Sequence, residues 1–185
     1  MKGMWVCLAM AIASAASADA KPPADKLMPD GKRWTLENLR VDIAGSHCYE
    51  NSPQHCERYG KLYTWTAAQE ACRSLGPAWR LPSMDDWKAL ARHYGGLSGD
   101  GDSDGRTAYR EMLVGGKSGL EMLLGGGRNE QESRRLEAHG FYWSTTEQSS
   151  TIARLVNFGK GSGKVFDQDG GEKTTAYSVR CVADR

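Results

Sequence analysis

Apolar residues recur at helical spacing twice between positions 65 and 94 and at strand spacing through the last third of the chain. In the first stretch Ala68, Ala71, Cys72 and Leu75 fall at i, i+3, i+4 and i+7, which places them on one face of an α-helix. Thr66 and Gln69 predict a reciprocal capping box at its start, and Gly76 with Pro77 stops it. Ser83 and Asp86 repeat the box, and Trp87, Leu90, Ala91 and Tyr94 repeat the stripe before Gly95 and Gly96. An apolar elbow at 78–82 joins the two predicted helices, which therefore face a common core with Cys72 pointing into it.

The flanking segments carry weaker patterns. Residues 21–29 are polar and proline-containing and read as a tether, with the domain starting at Asp30. Leu36, Leu39, Val41 and Ile43 alternate in part, as short strands do, and a polar loop containing Pro53 lies between Cys48 and Cys56. Tyr109, Met112 and Leu113 predict a third helix, and the strong charge of residues 128–138 predicts that this segment is exposed. Strand signals then become dense at 141–146, 152–158, 164–166 and 176–182, separated by Gly- and Ser-rich turns. Helices first and strands afterwards predict an α+β fold with short helices packed on an antiparallel sheet.

Composition narrows the function. The 185 residues suit one domain plus an export segment, and the net charge of +1 comes from interspersed acids and bases, which excludes an electrostatic case for nucleic acid or an anionic membrane. Residues 1–20, one lysine followed by a short apolar run and small residues, predict a secretory signal peptide with Cys7 inside it, and no membrane span in the mature chain. Cys48, Cys56, Cys72 and Cys181 remain, an even number in an oxidising compartment, which predicts two disulfides in one of three connectivities. His47 and His55 each precede a cysteine, but at spacings that do not make a zinc module, and His93 and His139 stand alone.

Five ordered stretches, 30–40, 48–72, 79–90, 139–147 and 177–184, together resemble the Fibrobacter succinogenes major paralogous domain family, whose fold is similar to that of C-type lectins. The resemblance covers residues 30–185 and implies an exported, disulfide-stapled module of the bacterial cell envelope. It also implies the pairing Cys72 with Cys181 and Cys48 with Cys56. Neither Glu-Pro-Asn, Gln-Pro-Asp nor Trp-Asn-Asp, the calcium-coordinating tripeptides of sugar-binding C-type lectins, occurs in the chain, so the resemblance does not carry sugar binding with it.

Two groups of residues are candidate sites. Trp143, Thr145 and Glu147 combine an aromatic ring with polar groups and suit a ligand groove; the alternative is a core strand whose Glu147 pairs with Arg154 or Arg180. Asp100, Asp102, Asp104, Gly105, Arg106 and Glu111 fall at the positions an EF-hand uses to bind Ca2+, with carboxylates converging on a hard cation, glycine permitting the turn and the Arg106 carbonyl contributing. No Ser-His-Asp order, carboxylate pair or phosphate loop is present. The reading is a non-catalytic binding module with an envelope protein or saccharide as partner; the alternative is an enzyme related to the sulfatase-modifying, formylglycine-generating proteins, which requires reactive thiols.

Overall fold

The computed structural model describes residues 22–184. The expected signal peptide, residues 1–20, lies outside the described residues. Strand β1 (Asp25–Leu27) pairs antiparallel with β2 (Arg33–Thr35), so the segment read as a tether is part of the folded sheet. The Asp30-Gly31 turn is what returns the chain, with Gly31 at φ 83°. Residues 36–43 form no strand: Leu39 is buried, and its N–H is satisfied by the carbonyl of Val179 rather than by a ladder.

Strand β3 (Ser46–His47) precedes helix α1 (Pro53–Tyr59), which occupies the supposed polar loop. Proline at its first position has no N–H to leave unpaired, and the Cys48–Cys56 disulfide closes the turn before it. Strand β4 (Leu62–Tyr63) leads into α2 (Trp65–Arg73). Helix α2 starts two residues before the predicted box, at N-cap Thr64, with no side-chain cap, because the apolar face begins with Ala67 and Ala68 and packing sets the boundary. Ala71 and Cys72 face the core as their spacing requires, and Cys72 is bonded to Cys181.

Strand β5 (Trp79–Arg80) and helix α3 (Met84–Arg92) follow, and here the predicted capping box forms. Ser83 Oγ accepts from Asp86 N at 3.1 Å while Asp86 Oδ2 accepts from Ser83 N at 2.7 Å. Arg80 adds two bonds to the same carboxylate, at 2.6 and 3.2 Å. Burial acts to raise the Asp86 pKa, yet the guanidinium and the Ser83 donors outweigh it and hold the carboxyl below 3.8. A carboxylate held low in the folded state contributes stability above its unfolded pKa and loses it as pH falls through the folded value. Asp86→Asn is therefore expected to cost about 1–3 kcal/mol at pH 7 and to flatten the loss of stability below about pH 4. Urea unfolding at pH 7 and pH 3 measures both; an equal cost at the two pH values contradicts the assignment.

Helix α4 (Arg106–Met112), the small hairpin β6 (Gly127–Arg128) and β7 (Ser133–Arg134), and the long strands β8 (His139–Glu147), β9 (Ile152–Gly159) and β10 (Lys164–Glu172) complete the chain with β11 (Val182–Ala183). The sheets are antiparallel: β1-β2-β11-β5 in one, β10-β9-β8 in another, with β3-β4 and β6-β7 as short pairs. Of the region 176–182, only Val182 belongs to a named strand; Ala176, Tyr177 and Ser178 make single bridges to Arg128, Tyr63 and Tyr142.

Strand β8 is buried on both faces. Tyr142 joins Trp34, Trp87, Val156 and Phe158 in one apolar cluster, while Phe141 and Trp143 join Tyr63, Ala71, Cys72, Leu155 and Cys181 in another. Two cores on opposite sides of one strand explain its unbroken apolar run. Among the described residues the architecture is mixed α/β, with four α-helices, antiparallel sheets and two disulfides.

Candidate functional site

Trp143 does not line a groove. It is fully buried, and its Nε1 donates to the Tyr63 carbonyl at 2.8 Å, as an indole enclosed in a core must. Thr145 is tied through its N–H to the carbonyl of Pro82, and Glu147 pairs with Lys173 instead of an arginine. Arg154 is engaged by Asp167 and Asp169, and Arg180 is enclosed elsewhere. The three residues of the expected groove thus do not converge on one surface.

The acidic loop is arranged as an anchored turn. Asp100 receives two hydrogen bonds from Arg92, at 3.0 and 3.2 Å, and Asp104 Oδ1 accepts from the N–H of Arg106 at 2.9 Å. Gly105 does take the left-handed conformation, φ 76°, and a Cβ there would stand 2.4 Å from the carbonyl of Val165. That glycine lets the loop dock on β10, through Val165 N to Gly105 O and Ser98 N to Val165 O. Arg106 opens α4, and the Glu111 carbonyl accepts from Ser118 N. Among the described residues no group of three or more His, Cys, Asp or Glu is placed to hold one metal ion. The side chains at Asp100 and Asp104 have protein partners, Arg92 and the N–H of Arg106.

A polar concavity lies where the face of β8 and β9 carrying Phe141 and Trp143 runs out. Successive residues on a strand point to opposite faces, so His139, Phe141 and Trp143 share a side. Asn157, opposite Phe141 in the register, continues that side on β9. The hairpin β6-β7 and Tyr177 wall it off, leaving a cleft of about 400 Å³ lined by Arg128, Asn129, Glu132, Arg134, Arg135, His139, Phe141, Asn157, Gln168, Thr175 and Tyr177. Gly127 makes the wall: a Cβ at that position would meet the Tyr177 ring at 2.5 Å.

A directional chain of side chains crosses the floor. Asn157 Nδ2 donates to Gln168 Oε1 at 2.8 Å, which turns Asn157 Oδ1 toward His139 Nδ1 at 2.9 Å. That oxygen can only accept, so His139 Nδ1 carries the proton and Nε2 is left as an acceptor facing Arg135 Nη1 at 3.4 Å. The His139 imidazole stacks on Phe141 with centroids 5.3 Å apart and planes 7° from parallel, and Phe141 touches Tyr177 at 5.0 Å. Burial pushes the Tyr177 phenol above its ordinary pKa, and the positive charge of Arg135 works against that shift.

The arginines differ in commitment. Arg134 pairs with Glu132, and Arg128 bonds the Asn51 side chain. Arg135 has no carboxylate partner among the described residues. None of these positions is marked in the sequence by a motif. His139 reads there as a lone histidine, and its partner Asn157 comes from the neighbouring strand.

A disulfide-stapled α/β domain with a polar, arginine-lined cleft defines the class of the protein. The Fibrobacter succinogenes major domain matches residues 27–183, and the chain belongs to that family. No curated protein sequence matches it.

Proposed function

We propose that the domain is an exported, non-catalytic binding module of the bacterial cell envelope, of C-type lectin-like architecture, which takes its ligand in the cleft between the β6-β7 hairpin and the exposed end of the β8-β9 face. The observation that carries this reading is the cleft itself, a preformed concavity that gathers aromatic rings, amides and a cation without a counter-ion. Export is supported by the two disulfides, and no helix among the described residues is long and apolar enough to cross a membrane. The bridging of Cys48, Cys56, Cys72 and Cys181 removes them from the thiol chemistry that a formylglycine-generating enzyme requires.

A glycan array and a pull-down from envelope extract, each run with wild type and with Thr175→Trp, test it. The tryptophan enters the cleft from the turn after β10. Wild type is expected to retain a component that the variant loses; equal retention by both rejects the cleft as the site.

A further inference from the structure

We infer that the cleft selects a carboxylate-bearing saccharide, with the carboxylate held by the guanidinium of Arg135 and the sugar body lying along His139, Phe141 and Tyr177. The inference rests on the binding reading above and adds the chemistry of the ligand.

Arg135 is the residue that decides the charge. Its neighbours in the cleft, Arg128 and Arg134, already have protein partners, whereas the Arg135 guanidinium has only the long 3.4 Å approach to His139 Nε2. A planar fork with free donors matches a carboxylate in bidentate geometry, and charge assistance makes such contacts about twice as strong as neutral ones. Because the Asn157–Gln168 bond directs the His139 lone pair at Arg135, the chain orients the guanidinium by a neutral acceptor and leaves its charge uncompensated.

The backbone gives an independent indication. Among the described residues five non-glycine residues take left-handed backbone angles, and Arg135 (φ 66°), Glu50 (φ 52°) and Asn51 (φ 54°) are three of them. Arg135 lines the cleft, and Glu50 and Asn51 line the groove that continues from it past Arg128 and Glu132. Each such residue is strained, and strain of this kind gathers where a site has to be held in shape.

The rest of the lining selects a saccharide over a peptide carboxylate. Phe141 and Tyr177 are the only large apolar side chains of the wall, so an extended peptide would find no apolar pockets for its alternate side chains. Gln168 has its oxygen occupied by Asn157, which leaves its amide nitrogen as a donor into the cleft, beside the Thr175 and Tyr177 hydroxyls. Donors and hydroxyls spread around aromatic rings suit a ligand with several hydroxyls on a compact ring, and about 400 Å³ is room for one or two sugar units.

Titration calorimetry at low salt with a panel of glucuronate- and galacturonate-containing disaccharides, their neutral counterparts and a free-carboxylate tripeptide tests this. Wild type is expected to bind at least one acidic disaccharide about tenfold or more tightly than its neutral counterpart. Arg135→Asn, whose side chain tolerates a left-handed backbone, should reduce that affinity to the neutral level while leaving the melting temperature in place. Equal binding of acidic and neutral sugars, unchanged affinity in Arg135→Asn, preference for the tripeptide, or binding of nothing in the panel each overturns the inference. Thr175→Trp separates the two readings: if it abolishes binding of sugars that Arg135→Asn leaves unaffected, the cleft stands as the site and only the charge assignment fails.

Discussion

Removing the bridge between Cys72 and Cys181 by the double substitution to alanine is expected to lower stability by about 5 kcal/mol, while the same treatment of Cys48 and Cys56 costs about half as much. The reason is the length of chain each bridge closes. The sulfurs of the first pair lie 109 residues apart in sequence and those of the second only 8. A cross-link removes unfolded-state entropy in proportion to the logarithm of that length. Packing works in the same direction, since Cys72 and Cys181 are both fully buried in the cluster around Trp143. The long bridge joins α2 to the segment just before β11. With a domain of this size stable by only about 5–15 kcal/mol, the first variant stands near the limit of folding. Urea unfolding of both double variants under non-reducing conditions measures the difference. A larger cost for Cys48 and Cys56 than for Cys72 and Cys181 contradicts the account.

Arg180→Met is expected to cost about 3 kcal/mol or more, a large effect for a residue that touches no ligand. Arg180 is fully buried, and burial pushes its guanidinium down from the ordinary arginine pKa. Its donors go to neutral acceptors: Asn38 Oδ1 at 2.8 Å, the Thr35 carbonyl at 3.0 Å and the Glu121 carbonyl at 2.9 Å. These come from two separate segments, so one planar fork fastens the 35–38 turn and the 121 loop to the last stretch of the chain. Methionine keeps the length of the stem and strands all three acceptors, each at about 1–3 kcal/mol before relaxation. Arg180→Lys keeps the charge without the fork and is expected to recover only part of the loss. Equilibrium unfolding of the two variants decides it: a cost under about 1 kcal/mol for methionine, or full recovery with lysine, refutes the role.

Much of this frame was legible before any coordinates. The helical stripes at Ala71–Cys72 and Trp87–Leu90–Ala91 are buried where their spacing placed them, because a 3.6-residue period leaves one face for the core whatever it packs against. The Ser83–Asp86 box formed because both partners lie within one turn. The Thr66–Gln69 box has the same spelling and did not form, because burial of Ala67 and Ala68 placed the helix start earlier. The helix at Pro53–Tyr59 was hidden by its polar composition and by the bridge of Cys56, within it, to Cys48. In the acidic loop the spacing of Asp100, Asp102 and Asp104 is a local pattern, whereas the bond from Arg92 to Asp100 depends on where α3 places that arginine. The sign in the sequence that the strand of Trp143 is covered on both faces is its unbroken apolar run Phe141-Tyr142-Trp143.

What the sequence determined by itself is therefore what depends on near neighbours: the period of α2 and α3, the cap at Ser83, the antiparallel strands β8 to β10, and membership of its family. Only the tertiary structure decided the site. The cleft gathers Arg135 from the turn after β7, His139 and Phe141 from β8, Asn157 from β9, Gln168 from β10 and Tyr177 from the segment before β11. Their hydrogen bonds span 11 and 18 residues of sequence between Gln168, Asn157 and His139, and only pairing of the strands brings them within reach. A local pattern constrains side chains a few residues apart, whereas the register of one strand on the next is set by the whole core, and that register made these scattered polar residues into one surface.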